Sequence, residues 1–397
     1  MSRGLPVVQF EERPGILDLS WGHPSPSLLP VEAWSVAAQT ALSRHRADAL
    51  SYGADPGPGP LREWIAARLS DIDSGGSTPD GIFVTGGASH ALALVCNVLA
   101  EPGDVVLVDS PTYHLALPIL RDHGVDLVGV PADGDGVDVT ATETMVSRLR
   151  GTGRRVRLLY IVPTFGNPTG GCLPEQRRVA LVDLAMRAGL TIVEDDTYRE
   201  MVYDGVAPPS LWRLANGSAD SAAPSEVDAV VRLGSFAKTV APGVRLGWIQ
   251  ASAAFVTRVA RIGYVHSGGG VNHAAALTMA DFGASGAYDR HLAEVRQRYA
   301  ARRDALVTAL RDTVRPDVPL PQGGWFVWLT LPAGVPANDL LPLAEQRGVS
   351  FTPGTQFYAN GSSGDDHVRL SYSMLSPTEL ADAAARLASA IAAASTL

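Results

Sequence analysis

Lys238 is the only lysine among the 32 Lys and Arg residues of this chain. It closes Gly234-Ser235-Phe236-Ala237-Lys238, between an apolar run and the turn-prone Ala241-Pro242-Gly243. Arginine has taken every other basic position, which suggests that this one needs what a guanidinium lacks: an amine that can lose its proton and attack a carbonyl. A solvated surface lysine fits the position alone equally well, so its companions must decide.

Asp195 and Tyr198 stand three apart in Val193-Glu194-Asp195-Asp196-Thr197-Tyr198, directly after an apolar run. Helix capping or metal ligation would also use an acid there, but no further carboxylate ligands lie nearby. Beside a reactive lysine, a carboxylate at a strand end suits the ring nitrogen of pyridoxal phosphate, whose ring then accepts the electrons of a carbanion. Tyr198 is placed to hydrogen-bond the phenolic oxygen of that ring. Thr85-Gly86-Gly87-Ala88-Ser89-His90 leads straight into an apolar helical pattern. Its free N–H groups and helix dipole make a seat for a phosphate, although such a turn alone is often only a turn. Ser235 and Arg245 flank Lys238 and would clamp the same anion. Asn167-Pro168-Thr169-Gly170 reads on propensity as a turn. Because it follows the run Val156 to Ile161, it brings the Asn167 amide to a strand end.

The elements that must position these groups alternate. Short β-rich runs at Ile82, Val105 to Val108, Val125 to Val130, Val156 to Ile161, Thr191 to Val193, Val230 to Leu233 and Leu246 to Ile249 are interleaved with helical patterns. This rhythm predicts an α/β fold: a mostly parallel sheet flanked by helices, with its site at the carboxyl ends of the strands. Val206 to Asp228 reads as an Ala/Ser/Pro-rich loop. A long amphipathic pattern over Ala287 to Leu310 connects to strands at Trp325 to Leu329, Val349 to Phe351 and Val368 to Ser373, then to a helix from Pro377, the makings of a smaller α+β domain. The expected division is residues 1–50 as an N-terminal segment of the small domain, 51–285 as the large domain, and 286–397 as connecting helix and small domain.

Composition narrows the partners. A net charge of −9 without a basic block argues against nucleic acid. No apolar run is long enough to span a bilayer, and the first residues lack a signal-peptide core, so a cytoplasmic location is expected. Cys96 and Cys172 are the only cysteines, too few for a disulfide framework. The nine histidines show no metal-ligand spacing, and no metal site is expected.

Taken together, Asn167-Pro168-Thr169-Gly170, Asp195 to Tyr198, Ser235 to Lys238 with Arg245, and Arg369 in Val368-Arg369-Leu370-Ser371 resemble the pyridoxal-phosphate-dependent aminotransferases of fold type I, class I/II. Order and spacing match from about Asp18 onward. Pro163-Thr164-Phe165-Gly166-Asn167 and Glu194-Asp195-Asp196-Thr197-Tyr198 are most similar to the aminoadipate and multi-substrate subgroup. The resemblance implies that Lys238 forms the Schiff base and shuttles the α-proton. Asp195 would pair with the ring nitrogen, Tyr198 and Asn167 with the phenolic oxygen, and Tyr113 would stack on the ring. Gly87, Ala88, Ser89, Ser235 and Arg245 would take the phosphate. Tyr52 would reach the phosphate of a neighbouring subunit, which implies a homodimer with shared sites. Arg369, with Gly22 and Asn167, would grip the carboxylate of an amino acid or 2-keto acid. Three positions depart from the family pattern: Ala237 replaces a common serine, Ser89-His90 replaces paired glutamines, and His23 follows Gly22. Same-fold decarboxylases, lyases and substitution enzymes share this electron sink, and so do aminotransferase-like regulator domains. The regulators carry a DNA-binding module ahead of the first shared segment, where this sequence has only a few residues.

Overall fold

The computed structural model describes residues 13–217 and 228–395. Its central sheet has seven strands in the order Ile82–Thr85, Gly247–Gln250, Val230–Ser235, Thr191–Asp195, Val156–Ile161, Val105–Val108 and Asp126–Gly129. Gly247–Gln250 runs antiparallel to both neighbours, and the other pairs are parallel. The exception has a simple cause. Between Ser235 and Gly247 the chain holds only the Lys238 turn and one short helical turn at Pro242–Val244, less than a parallel crossover needs.

Apart from the edge strand Asp126–Gly129, the strands are largely buried on both faces, which is why they read as mostly apolar runs. Val106 and Val108 join the core under the helices Ala88–Leu99 and Ala253–Ala260. Val105 and Leu107 join the opposite core, under Val139–Gly151 and Glu175–Ala188. The period of two along each strand therefore decides which functional side chains share a face.

A smaller antiparallel sheet pairs Phe326–Thr330 and Thr352–Pro353 with His367–Ser371. The run expected as one strand over Val349 to Phe351 divides because it serves two sheets. Val349–Ser350 pairs in parallel with Leu17–Asp18, whereas Thr352–Pro353 pairs with His367–Ser371. This pairing also carries the N-terminal segment onto the C-terminal part of the chain. The helix Ala287–Thr313 packs against Pro377–Ala394, whose start is closed by a Ser376/Glu379 capping box. The stretch expected as a loop from Val206 contains the helix Leu211–Asn216. Its first N–H groups, on Leu211 and Trp212, are capped from a distance by Glu194 at 2.8 and 2.9 Å. Ser210 adds a local N-cap, its Oγ accepting the Arg213 N–H at 3.0 Å. Residues 218–227 of that stretch lie outside the described residues. Among the described residues, no helix is long and apolar enough to cross a membrane.

Candidate active site

Lys238 lies just past the end of Val230–Ser235, where Ser235 Oγ accepts the Ala237 N–H at 3.1 Å and tightens the turn. Lys238 Nζ donates to the Gly22 carbonyl at 2.7 Å. The rings of Trp325 and Tyr198 stand 5.2 and 5.9 Å from it. Desolvation by burial, followed by the charge of Arg369, lowers its pKa to about 8; Asp195 opposes this shift and Arg245 adds to it. Lysine, carboxylate and two arginines, drawn from four separate stretches of sequence, thus act on one another through space.

Asp195 ends its own strand. Its Oδ1 accepts the Thr197 N–H at 3.2 Å and the Thr197 hydroxyl at 2.6 Å, and its Oδ2 accepts the Tyr160 hydroxyl at 2.7 Å. Burial raises its pKa, against the pull of those hydrogen bonds. The flanking acids are committed elsewhere: Glu194 caps the helix Leu211–Asn216, and Asp196 Oδ2 takes both Nε and Nη2 of Arg232 at 2.9 and 2.6 Å. Arg232 also donates to Asp73, at 2.6 Å. The carboxylate of Asp195 therefore faces the site held by neutral donors only, a buried anion suited to a ligand N–H that bears a proton.

The turn Gly86-Gly87 opens the helix Ala88–Leu99, with Ala88 and Ser89 in its first turn. Arg245 Nη2 donates to the Gly86 carbonyl at 2.7 Å. Gly87 has φ +106°, and a Cβ there would stand 2.9 Å from Arg245 Nη2. Backbone and guanidinium meet here as closely as a glycine allows, at the start of a helix. His90 is a helix-start residue that steadies this loop, its Nδ1 accepting the Gly86 N–H at 3.0 Å. If this turn seats a phosphate, Gly87→Ala is expected to weaken cofactor binding about tenfold or more, because a Cβ displaces the flexible end of Arg245 and the positive φ strains the turn. Titration of the apoprotein with pyridoxal phosphate measures it.

Arg369 occupies the middle strand of the small sheet, with Trp328 and Thr352 as its register partners. Its Nη1 donates to Asn167 Oδ1 at 2.9 Å, and its Nη2 donates to the Ser20 carbonyl and to Thr352 Oγ1. The rings of Phe326 and Phe357 lie 4.5 and 4.9 Å from its Cζ. Arg369 Nε is buried without a hydrogen-bond partner. Burial lowers its pKa to about 10, and the guanidinium stays charged at neutral pH. Because Asn167 gives its carbonyl oxygen to Arg369, its NH₂ is left to donate elsewhere.

Gly22, Tyr113 and Tyr198 fall in the same cluster. A Cβ on Gly22 would meet Phe326 at 3.0 Å and Tyr198 Oη at 3.9 Å, and Tyr113 is within electrostatic reach of Asp195 and Arg369. Tyr52 stands apart, 91 % exposed. His23 senses both Lys238 and Arg369, which with burial push its pKa down to about 4. Sequence reasoning missed Tyr160, Thr197, Thr352, Trp325, Phe326 and Phe357. Of these, Thr197 and Tyr160 lay inside recognised stretches, without a role being read for either.

Residues 14–387 match the family described as aminotransferase class I and II. The chain is 32 % identical to aromatic-amino-acid aminotransferase 1 of Thermococcus litoralis, over 97 % of this chain and 90 % of that protein. It is 33 % identical to 2-aminoadipate transaminase of Thermus thermophilus, over 97 % of this chain and 92 % of the relative. A solved α-aminoadipate aminotransferase from Thermus thermophilus, complexed with N-(5′-phosphopyridoxyl)-L-leucine, superposes with a TM-score of 0.84 at 32 % identity, covering 96 % of this chain and 94 % of the other. The fold is that of a fold type I amino-group-transferring enzyme. The chain belongs to the class I and II aminotransferases.

Proposed function

We propose that this transaminase uses pyridoxal 5′-phosphate and exchanges an amino group between an L-amino acid and a 2-keto acid. The observation that carries the reading is the amine of the only lysine, 2.7 Å from the Gly22 carbonyl and acted on by both Asp195 and Arg369. Bound there, the cofactor supplies a carbonyl and an electron-accepting ring.

The chain's own residues do the rest. Gly87, Ala88, Ser89, Ser235 and Arg245 hold the phosphate, Asp195 holds the ring nitrogen, Tyr113 covers the ring, and Tyr198 with the Asn167 NH₂ holds the phenolic oxygen. Arg369, helped by Gly22 and Asn167, fixes the substrate carboxylate and so the direction of the α-hydrogen. Lys238, as the neutral amine, would hold the cofactor covalently, and when free its Nζ would take the α-proton and return it. The aromatic rings of Trp325, Tyr198 and Phe326 keep water from that exchange. In this reading the part spanning 51–285 holds the cofactor, and the part from 286 onward brings the carboxylate clamp.

The working form is a cytoplasmic homodimer. Supporting this, Val31, Val36, Leu50 and Tyr52 are exposed apolar or aromatic residues on neighbouring segments, Tyr52 lies outside its own chain's cluster, and both cysteines are free. The decisive experiment is a half-reaction: the reconstituted protein is mixed with single L-amino acids, and the visible absorbance is followed. Conversion to the pyridoxamine form, with the matching keto acid released, is the expected result. Release of carbon dioxide or ammonia without that conversion, or a protein that takes up no cofactor, would overturn it.

A further inference from the structure

Asp195 offers about four lone-pair sites. Thr197 occupies two on Oδ1 and Tyr160 one on Oδ2, leaving a single site on Oδ2. Tyr160 owes this place to sheet register. It is paired with Val193 on the adjacent parallel strand, so Asp195, two residues further on, shares its face at the carboxyl edge. Tyr160 is fully buried among the side chains of that face. Its charged and titratable neighbours are Asp195, Asp109 and Tyr113; together with burial they raise its pKa well above the ordinary value, so it stays a donor. Arg232, the guanidinium beside this acid cluster, is spent on Asp196 and Asp73.

We propose that Tyr160 is a positioning residue for the cofactor's ring nitrogen: its hydroxyl holds Asp195 Oδ2 and weakens that oxygen's grip on a shared proton, so the proton stays on the ring. The inference rests on the cofactor reading above. Two arrangements compete, a ring N–H donating to a carboxylate and a ring nitrogen accepting from a carboxylic acid. A neutral donor on the carboxylate favours the first without adding a positive charge that would repel the ring. Removing it makes Oδ2 more basic by about one pH unit, a tenfold change in the balance between the two.

The experiment uses holoenzyme loaded with pyridoxal phosphate carrying ¹⁵N at the ring nitrogen. In the unmodified protein the ¹⁵N resonance is expected at a protonated position. In Tyr160→Phe it should move downfield, toward unprotonated pyridine, with kcat lowered about tenfold and KM changed less. A second substitution, 3-fluorotyrosine at position 160, keeps the shape and strengthens the donor, so the resonance should move the opposite way; it carries the test should Tyr160→Phe fail to fold. An unprotonated nitrogen in the unmodified holoenzyme, or the same resonance in every protein that folds, would overturn the role of Tyr160. Failure to take up the labelled cofactor would instead overturn the reading on which the role rests.

Discussion

Lys238→Ala is expected to abolish the visible absorbance of the reconstituted protein and to lower turnover about ten-thousandfold, the upper range for a positioned proton-transfer group. The loss should be this complete because no other lysine exists to substitute. The same scarcity makes the covalent readout unusually clean. Borohydride reduction of the holoenzyme should fix the cofactor on Lys238 alone, which peptide mass spectrometry reads directly; a label found elsewhere, or on Lys238→Ala, would contradict the assignment. Electrostatics adds a pH signature. Burial and the Arg369 charge destabilise the ammonium, so the amine is protonated below about pH 8 and neutral above it. The rate at which apoprotein captures pyridoxal phosphate should therefore climb with pH and level off above about 8, rather than continue rising toward the range of an ordinary lysine.

Groups with this degree of chemical identity were legible before any coordinates. Lys238, Asp195 and Asn167 are polar groups at or beyond the carboxyl ends of apolar strands, which the alternation of strands and helices places on one edge, and Arg369 is a charge between Val368 and Leu370 in the middle of a strand. What escaped detection was everything whose meaning depends on register or on distant packing. Tyr160 sits in Val156–Ile161, where an aromatic reads as one more core residue; only its pairing opposite Val193 aims it at Asp195. Phe326 and Phe357 look equally ordinary, and come to lie against the Arg369 guanidinium only once the strand Phe326–Thr330 and the turn Gly354–Phe357 are in place. The helix Leu211–Asn216 is short; Ser210 caps it locally, but the Glu194 carboxylate that takes its first N–H groups comes from another element. The helix Ala337–Gln346 was hidden because it carries Pro342 within it. Local patterning therefore brings out the candidate reacting groups, whereas the contacts that hold and tune them are products of tertiary structure.

Arg369 carries the second large effect, and a pair of substitutions separates its two roles. As a clamp it offers a planar guanidinium, close to the rings of Phe326 and Phe357 and fixed by Asn167, Ser20 and Thr352, with Nε still unpartnered. Arg369→Lys keeps the charge but loses the fork and the stacking surface. It should lower kcat/KM for amino acids about a hundredfold or more, chiefly through KM, the usual cost of truncating a buried charge-assisted contact. As a neighbour of Lys238, Arg369 also keeps the amine acidic. Arg369→Leu removes that charge, so the ammonium becomes more stable and the pH at which cofactor capture levels off should move upward, whereas in Arg369→Lys it should stay near its original value. Steady-state kinetics reads the first role and the pH profile of cofactor capture reads the second. A Leu variant whose capture profile matches the unmodified protein would show that burial alone sets the acidity of Lys238, and would confine Arg369 to gripping the carboxylate.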